Sequence, residues 1–374
     1  MSDQRKFLIK KSNSFVRPKI PSELELNANS QEIGDAHEQG NIKGVVIDGL
    51  KLSSKIYKNI GKIGSFKYPQ EIFVSKMSPE SSKIVTTHME GSISVLSNHS
   101  SLKSVSKVLS QGVPITCVAF VNETTFYAGD TNGNVFKLEI NQGIDEIKVD
   151  SPFKDPTEQM LAMEYLATKN ILIYGGKTKS LSLVDESTMK ILSTFSEGDS
   201  YTVGHTNRIF CITKVPGDDN MFISGGWDGT MFMWDIRSSN CVRTVFGPNV
   251  SGDSLDIKGN LILAGSYRER DSLELYDFKE FKKICNVDWN LSKSTQNFIT
   301  SCKFQKGQDS DLFIAGSSLT NQVGIFKKDI VYNQVLSVVG IRKPVHAVGL
   351  TNKEKKFYFS TIDGEVSLYS FKEI

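Results

Sequence analysis

The sequence lacks any apolar run long enough to cross a membrane. A spanning helix needs roughly 18 consecutive apolar residues, and the longest apolar stretches here are only as long as a β-strand. An excess of one charge is also missing, since 44 Lys and Arg residues face 42 Asp and Glu residues and leave a net charge of +2. Such a balance gives no overall field that favours nucleic acid or a membrane surface. We therefore expect neither as a partner.

Cysteine is scarce, and its spacing excludes the common metal and disulfide frameworks. The five cysteines form no CxxC pair and lie in or beside strand-like segments: Cys117, Cys211, Cys241, Cys285 and Cys302. An odd number without such pairs favours reduced thiols that act as small core hydrophobes. Reduced thiols favour a cytoplasmic location, and a nuclear or cytoskeletal one is also compatible. Since no histidine has metal-ligand spacing, we expect no metal and no cofactor.

Local motifs of catalytic sites are missing as well. The sequence has no GxSxG, no GxxxxGK followed by Ser or Thr, no HExxH and no GxGxxG before a helix. Ser, His and Asp residues occur, but nothing in their pattern converges on a reaction. The sequence therefore predicts a protein that is not an enzyme.

What is present is one segment, Gly204–Arg237, with the residue types of a complete antiparallel unit. His205 precedes an apolar strand, Ser224 lies on the next strand, Asp228 lies in a hairpin turn and Trp234 lies on the third strand. The imidazole can bond the Ser224 hydroxyl or the Asp228 carboxylate, and the Trp234 indole N–H can satisfy that hydroxyl. The spacing therefore predicts a buried structural network.

In these four residues the segment resembles the WD40 repeat family, and similar hairpins recur at the period of roughly 40 to 50 residues typical of that architecture. With the segment itself there are seven hairpins, the other six being Lys83–Ser97, Thr125–Ile140, Asn170–Asp185, Asn260–Asp277, Asp311–Lys328 and Lys355–Phe371. The resemblance implies an all-β fold, a seven-bladed WD40 β-propeller. Only the fourth blade carries the full set of network residues.

The predicted domains are a flexible charged tail over residues 1–43 and a propeller over residues 44–374. The blades are expected near residues 68–110, 111–150, 157–197, 204–247, 249–289, 297–340 and 343–371. No outer strand follows the seventh hairpin, so a strand from residues 44–66 is expected to close the ring. The best candidate is Lys55–Ile63, with Gly44–Asp48 as the alternative.

The tail is basic over residues 1–20 and acidic over residues 21–40, with too little apolar surface to order itself. We interpret it as a disordered, solvated segment. One alternative is a docking motif in which apolar residues insert into a partner: Phe7, Leu8, Ile9, Phe15 and Val16. An organelle transit peptide is a second alternative, which the few arginines disfavour.

Partner-binding residues follow from the resemblance. In the WD40 family, partners commonly dock on the face where loops lead into the inner strands and where the second and third strands turn. On the matched blade that face would carry Arg208, Phe210 and Trp227. Trp227 is the strongest candidate, because Trp and Arg are enriched in energetic hot spots. The alternative is that Trp227 only packs on an adjacent loop.

Weaker matches place further residues at comparable positions: Phe73 and Met89 in blade one, Tyr267 and Arg268 in blade five, and His346 in blade seven. If they cluster, the face suits a peptide or protein loop. A separate hypothesis rests on Trp234-Asp235-Ile236-Arg237, which resembles the box of cullin-4 ubiquitin ligase receptors. In that box the arginine, here Arg237, contacts the ligase adaptor, although it also bonds within the blade in many unrelated proteins.

Together these observations predict a non-catalytic scaffold that presents propeller faces to other proteins or peptides within a larger assembly. One alternative function is a substrate receptor of a cullin-4 type ubiquitin ligase, through Arg237. A second alternative is a propeller enzyme or small-ligand binder, which would need polar residues converging on the central channel.

Overall fold

The chain folds into a ring of β-strands, and no α-helix occurs in the part that the structure describes. A computed structural model describes residues 43–47, 50–54, 57–98, 102–141, 143, 146–196, 203–289, 297–307, 310–328, 332–352 and 355–373. The predicted tail over residues 1–43 lies outside these residues, apart from Lys43 at the start of the first strand.

Three strands precede the first blade: β1 Lys43–Ile47, β2 Leu50–Ser54 and β3 Tyr57–Lys67. Blades one and two contain β4 Ile72–Met77, β5 Lys83–His88, β6 Ser92–Ser97, β7 Ser104–Val108, β8 Ile115–Phe120, β9 Thr125–Asp130, β10 Asn134–Ile140 and β11 Ile147–Lys154. Blades three and four contain β12 Met160–Leu166, β13 Ile171–Gly176, β14 Leu181–Asp185, β15 Lys190–Phe195, β16 Ile209–Val215, β17 Asp218–Gly226, β18 Thr230–Asp235 and β19 Asn240–Phe246. Blade five contains β20 Leu255–Lys258, β21 Leu261–Gly265, β22 Leu273–Asp277 and β23 Lys282–Asn286. Blades six and seven contain β24 Ile299–Phe304, β25 Leu312–Ser317, β26 Gln322–Lys328, β27 Tyr332–Val339, β28 Val345–Leu350, β29 Lys356–Thr361 and β30 Glu365–Glu373.

Seven antiparallel sheets form the blades, each running from an inner strand at the ring axis to an outer strand at the rim. The inner strands contact one another in the order β4, β8, β12, β16, β20, β24 and β28, and β28 contacts β4 again. The described residues therefore form a closed seven-bladed propeller, which confirms the predicted fold. We call the side where inner strands begin, and where second and third strands turn, the upper face.

The hydrophobic core is divided into layers between neighbouring blades. One layer packs Val85 and Ile93 of blade one against Val118 and Phe126 of blade two, and six similar layers complete the ring. Because second and third strands are covered on both faces, their polar side chains are buried as well, as in β6, where Ser92, Ser94 and Ser97 lie among apolar residues. The outer strands are far more exposed, as in β23, where every residue is exposed.

The strand that closes the ring is β3, which pairs antiparallel with β30 as the outer strand of blade seven. Closure by an N-terminal strand is thus confirmed. The strand begins two residues later than the segment Lys55–Ile63 expected from the sequence and extends to Lys67. The alternative segment, Gly44–Asp48, does not close the ring.

That alternative segment belongs to a hairpin that the sequence analysis did not predict. Strand β1 pairs with β2, and β2 pairs with β27, the outer strand of blade six. Blade six is therefore a six-stranded sheet, whereas the other blades have four strands. The hairpin covers the outer edge of this blade, which would otherwise present unpaired backbone groups.

All five cysteines are free thiols, but only three have the predicted core position. Cys117, Cys211 and Cys302 are buried, whereas Cys241 is half-buried and Cys285 is exposed on β23. The core prediction is wrong for Cys285, because a strand-like sequence pattern does not distinguish an inner strand from the outer rim.

Candidate functional site at the mouth of the central channel

The four predicted network residues come together in blade four. His205 Nδ1 lies 2.7 Å from Asp228 Oδ2, and His205 Nε2 lies 2.7 Å from Ser224 Oγ. The Trp234 indole N–H donates to the same Ser224 hydroxyl at 2.8 Å. The network therefore ties the loop before β16 to the second strand, the turn and the third strand.

Two features stabilise the turn at Asp228-Gly229. Gly229 has a φ of +67°, which glycine adopts without strain, and the Thr230 N–H donates to Asp228 Oδ1 at 3.2 Å. Trp227 immediately precedes this turn, so the buried network fixes the backbone that presents the Trp227 ring.

A β-bulge recurs at the second residue of the inner strands. In six blades the pairing between the inner strand and its neighbour skips this one residue: Phe73, Thr116, Leu161, Phe210, Thr300 and His346. A bulge leaves its residue out of the ladder and re-aims the side chain. Three of the six are buried, while Phe73, Phe210 and His346 remain partly exposed near the upper mouth of the central channel.

The structure brings Arg208, Phe210 and Trp227 together. The ring centroids of Phe210 and Trp227 are 4.9 Å apart, and the Arg208 guanidinium lies 5.7 Å from the Trp227 ring centroid, within cation–π range. The Trp227 N–H donates to the Arg208 carbonyl at 3.0 Å. A Cβ on Gly226 would lie 2.1 Å from that carbonyl oxygen, so this close approach needs glycine. Trp227 therefore packs on two neighbours and keeps part of its ring exposed.

Two further aromatic pairs join neighbouring blades on the upper face. The rings of Phe73 and His346 meet edge-on at 6.1 Å between blades one and seven. Tyr267 stacks on Phe298 at 4.3 Å between blades five and six. The sequence analysis missed Phe298, which lies one residue before β24; its place directly ahead of an apolar strand is the signal that could have found it.

Two predicted residues do not join these pairs. Met89, in the turn of blade one, is half-buried and shows no ring contact. The Arg268 guanidinium donates to the carbonyls of Arg270 and Asp271 and contacts the buried Glu274 carboxylate. Arg268 therefore braces its own loop, and the sequence did not indicate this because Glu274 lies on the following strand.

Arg237 follows β18 on the lower side of the ring. Its Nε and Nη2 atoms donate to the Asp235 carboxylate at 2.9 and 2.6 Å, and the side chain is 66% exposed. The guanidinium thus has a partner within its own blade, and the ligase-adaptor contact stays a prediction.

A second buried polar network, in blade one, was missed by the sequence analysis. His88 Nε2 lies 2.9 Å from Ser94 Oγ, which lies 2.7 Å from Ser106 Oγ. Burial lowers the pKa of His88 to about 4, so the imidazole is neutral at physiological pH. His88 ends the second strand of its blade, whereas His205 precedes the first, so a search for the Gly-His pattern does not find it.

Charged side chains line the lower half of the central channel, around a cavity of about 400 Å³. Three ion pairs cross from one blade to the next: Lys303–Asp253 at 2.8 Å, Lys306–Asp256 at 2.5 Å and Lys214–Glu164 at 3.4 Å. This convergence could not be predicted from the sequence, because the partners of each pair lie on different repeats.

The protonation states of the Lys303–Asp253 pair indicate its role. Burial raises the pKa of the Asp253 carboxyl, but the ammonium groups of Lys303 and Lys76 outweigh it and hold the pKa at about 2. Burial lowers the pKa of Lys303, but Asp253 and Asp256 outweigh it and raise the pKa well above its usual value. Both groups are therefore charged at neutral pH. A general acid or base needs a pKa near the working pH, so we interpret the pair as an electrostatic link between blades five and six.

Among the described residues, no group of three or more His, Cys, Asp and Glu side chains has metal-binding geometry. No helix within the described ranges is long and apolar enough to cross a membrane.

Comparisons with known proteins identify the repeat in blade four. The family model described as WD domain, G-beta repeat matches residues 197–235. WD repeat-containing protein 82 of Drosophila melanogaster is 26% identical over 171 residues, which cover 46% of this chain and 52% of the relative.

Two other proteins are similar to this chain over shorter segments. Ribosome biogenesis protein YTM1 of Debaryomyces hansenii is 33% identical over 88 residues, which cover 23% of this chain and 18% of the relative. The tRNA (guanine-N(7)-)-methyltransferase non-catalytic subunit wdr4 of Dictyostelium discoideum is 40% identical over 47 residues, which cover 13% of this chain and 10% of the relative. The chain thus spans about half, or much less, of the length of these relatives.

Proposed function

We propose that this seven-bladed propeller of the WD40 type is a non-catalytic scaffold that binds another protein on its upper face as part of a larger assembly. The observation that carries the proposal is the half-exposed cluster of Arg208, Phe210 and Trp227 at the channel mouth. Trp and Arg contribute large contact areas with polar groups at their ends, which makes them the residues most enriched in binding hot spots.

The rigidity of the cluster also supports binding. The buried His205 network and the backbone bond from Trp227 to Arg208 fix the cluster before any partner arrives. A preordered surface loses less conformational entropy on association than a mobile one does. The Phe73–His346 and Tyr267–Phe298 pairs extend the same aromatic character around the face.

The names of the relatives fit a role without catalysis of its own. One relative is named as a ribosome biogenesis protein, and another is named as the non-catalytic subunit of a tRNA methyltransferase. A small-ligand site in the channel is less well supported, because the charged groups of its three ion pairs already have partners. The cytoplasmic location stays a prediction.

We expect Trp227→Ala to remove the partner that binds the upper face. Truncation of a central aromatic anchor typically costs about 2 kcal/mol or more, which is roughly a thirtyfold loss of affinity. The measurement is quantitative co-purification of the full chain with its partners from its own cells. Because Trp227 is half-exposed and lies outside the interblade core, the variant should keep the wild-type melting temperature.

The matched control is Val242→Ala, on the outer strand of the same blade towards the lower side of the ring, where the side chain is 45% exposed. This variant should retain every partner that Trp227→Ala loses. Loss of the same partners from both variants, or from neither, would contradict the proposed site. A chain without residues 1–40 tests in parallel whether partners dock on the tail.

A further inference from the structure

A separate cleft of about 520 Å³ lies at the junction of blades six and seven, and none of its lining residues belongs to the aromatic pairs. One wall is the loop that leads from β27 to β28 and contains Arg342 and Lys343. The other wall is formed by β3 and the turn before β30. Leu50 is the partly exposed apolar side chain of the cleft, and the buried Ile341 and Phe359 lie beneath it.

The N-terminal strands build this cleft. Strand β2 pairs with the outer strand of blade six, and β3 pairs with the last strand of blade seven, so the segment bridges the two blades. Leu50 packs against the hydrophobic layer between these blades. The added hairpin therefore contributes Leu50 to the cleft, and the other lining residues belong to β3, the loop before β28 and blade seven.

The charge of the cleft is unevenly distributed. Its lining includes four basic residues, Lys62, Lys67, Arg342 and Lys343, and two acidic ones, Asp363 and Glu365. The Lys67 ammonium lies 2.5 Å from Asp363 Oδ2, and the Glu365 carboxylate accepts a bond from Ser367 at 2.9 Å.

The wall opposite β3 carries two basic residues, Arg342 and Lys343. Both side chains are exposed, and neither forms an ion pair with a residue of the described ranges, unlike Lys67. Two adjacent cations above an apolar lining can bind carboxylates while an apolar side chain is buried beside them.

We propose that this cleft binds an acidic peptide segment of a partner protein. An apolar side chain of the peptide packs on Leu50, and the flanking carboxylates pair with Arg342 and Lys343. An acidic peptide is favoured over nucleic acid because the cations are confined to one cleft and share it with two carboxylates, whereas a phosphate backbone requires an extended basic track. The cleft opens on the same upper face, because the loop before β28 and the turn before β30 lie there. It uses none of the residues of the aromatic pairs, so the two sites can be tested separately.

The test is fluorescence anisotropy of the full chain with a labelled peptide in which one leucine is flanked on both sides by glutamates. We expect saturable binding that weakens as salt is added. Arg342→Glu combined with Lys343→Glu should reduce the affinity by about tenfold or more, because each reversal replaces an attraction with a repulsion.

The matched control combines Lys107→Glu with Lys190→Glu, which changes the net charge equally at two exposed outer-strand positions. This control should bind like the wild type, and a peptide with glutamine in place of glutamate should bind at least tenfold more weakly. The proposal is overturned by any of three results: no saturable binding at millimolar peptide, equal losses in both double variants, or tighter binding of a single-stranded RNA of equal charge. Retention of the partners that require Trp227 by the variant with Arg342→Glu and Lys343→Glu would separate the cleft from the Trp227 cluster.

Discussion

Replacing Trp234 by Phe lowers the free energy of unfolding by about 2 kcal/mol, and replacing it by Ala lowers this free energy by about 3 to 5 kcal/mol. Trp234 is 2% exposed and stacks on Phe222 and Phe232. Phenylalanine keeps most of this packing but removes the indole N–H, which leaves the buried Ser224 hydroxyl without its donor. Alanine loses the packing as well. The measurement is urea unfolding followed by circular dichroism.

Trp289→Phe is the control for Trp234→Phe. Trp289 is also buried, at 6% exposure, and packs edge-on against Phe326, but its indole N–H has no hydrogen-bond partner among the described residues. The same substitution there removes an unsatisfied donor, so we expect a loss clearly smaller than that of Trp234→Phe, or a gain in stability. Equal losses at the two positions would show that the polar network contributes nothing to stability.

The sequence predicts the propeller well because each blade is a local unit. The residues that make the blade-four network, from His205 to Trp234, lie within 29 positions of one another, and each blade repeats the same order of apolar strand, turn and apolar strand. The approach of Phe210 to Trp227 also follows from repeat geometry, since the bulge at the start of the inner strand and the turn after the second strand lie on the same face.

Features that depend on distant pairing could not be predicted in this way. The strand β2 pairs with β27, whose residues lie almost three hundred positions later in the chain. That pairing places Leu50 in the cleft between blades six and seven. Edge strands share the apolar and β-branched composition of other strands, so composition alone does not show which edge accepts them.

The channel ion pairs also depend on contacts between residues that are distant in the sequence. Lys303 and Asp253 are 50 positions apart, about one repeat, and each looks in the sequence like an ordinary surface charge. Only the packing of neighbouring blades places the lysine of blade six beside the aspartate that precedes β20. The convergence of polar residues on the channel, which the alternative of an enzyme or small-ligand binder requires, is therefore visible in the folded ring and not in the sequence.

Asp253→Asn is expected to destabilise the propeller by about 3 kcal/mol at neutral pH. The substitution keeps the size of the side chain but leaves the Lys303 ammonium in the channel without its counter-charge, and breaking a largely buried pair in this way is costly. If charge imbalance is the cause, Lys303→Met added to Asp253→Asn should recover most of the loss, as measured by a double-mutant cycle in urea. A double variant no more stable than Asp253→Asn would contradict this explanation.

The same pair gives the wild type a specific sensitivity to acid. Burial raises the pKa of Asp253, but Lys303 and Lys76 outweigh it, so the folded-state value is about 2, below the ordinary value of 3.8. A carboxyl whose pKa is depressed on folding contributes stability that is present above its unfolded pKa and is lost as the pH falls through its folded pKa. The contribution should reach about 2 kcal/mol at neutral pH and decline from about pH 4 towards pH 2.

Urea unfolding of the wild type and of Asp253→Asn across this range should therefore give free energies that converge as the pH falls, because the wild type loses a contribution that the variant never had. A constant difference between the two proteins down to pH 3 would show that Asp253 has an ordinary pKa and that the channel lysines do not act on it.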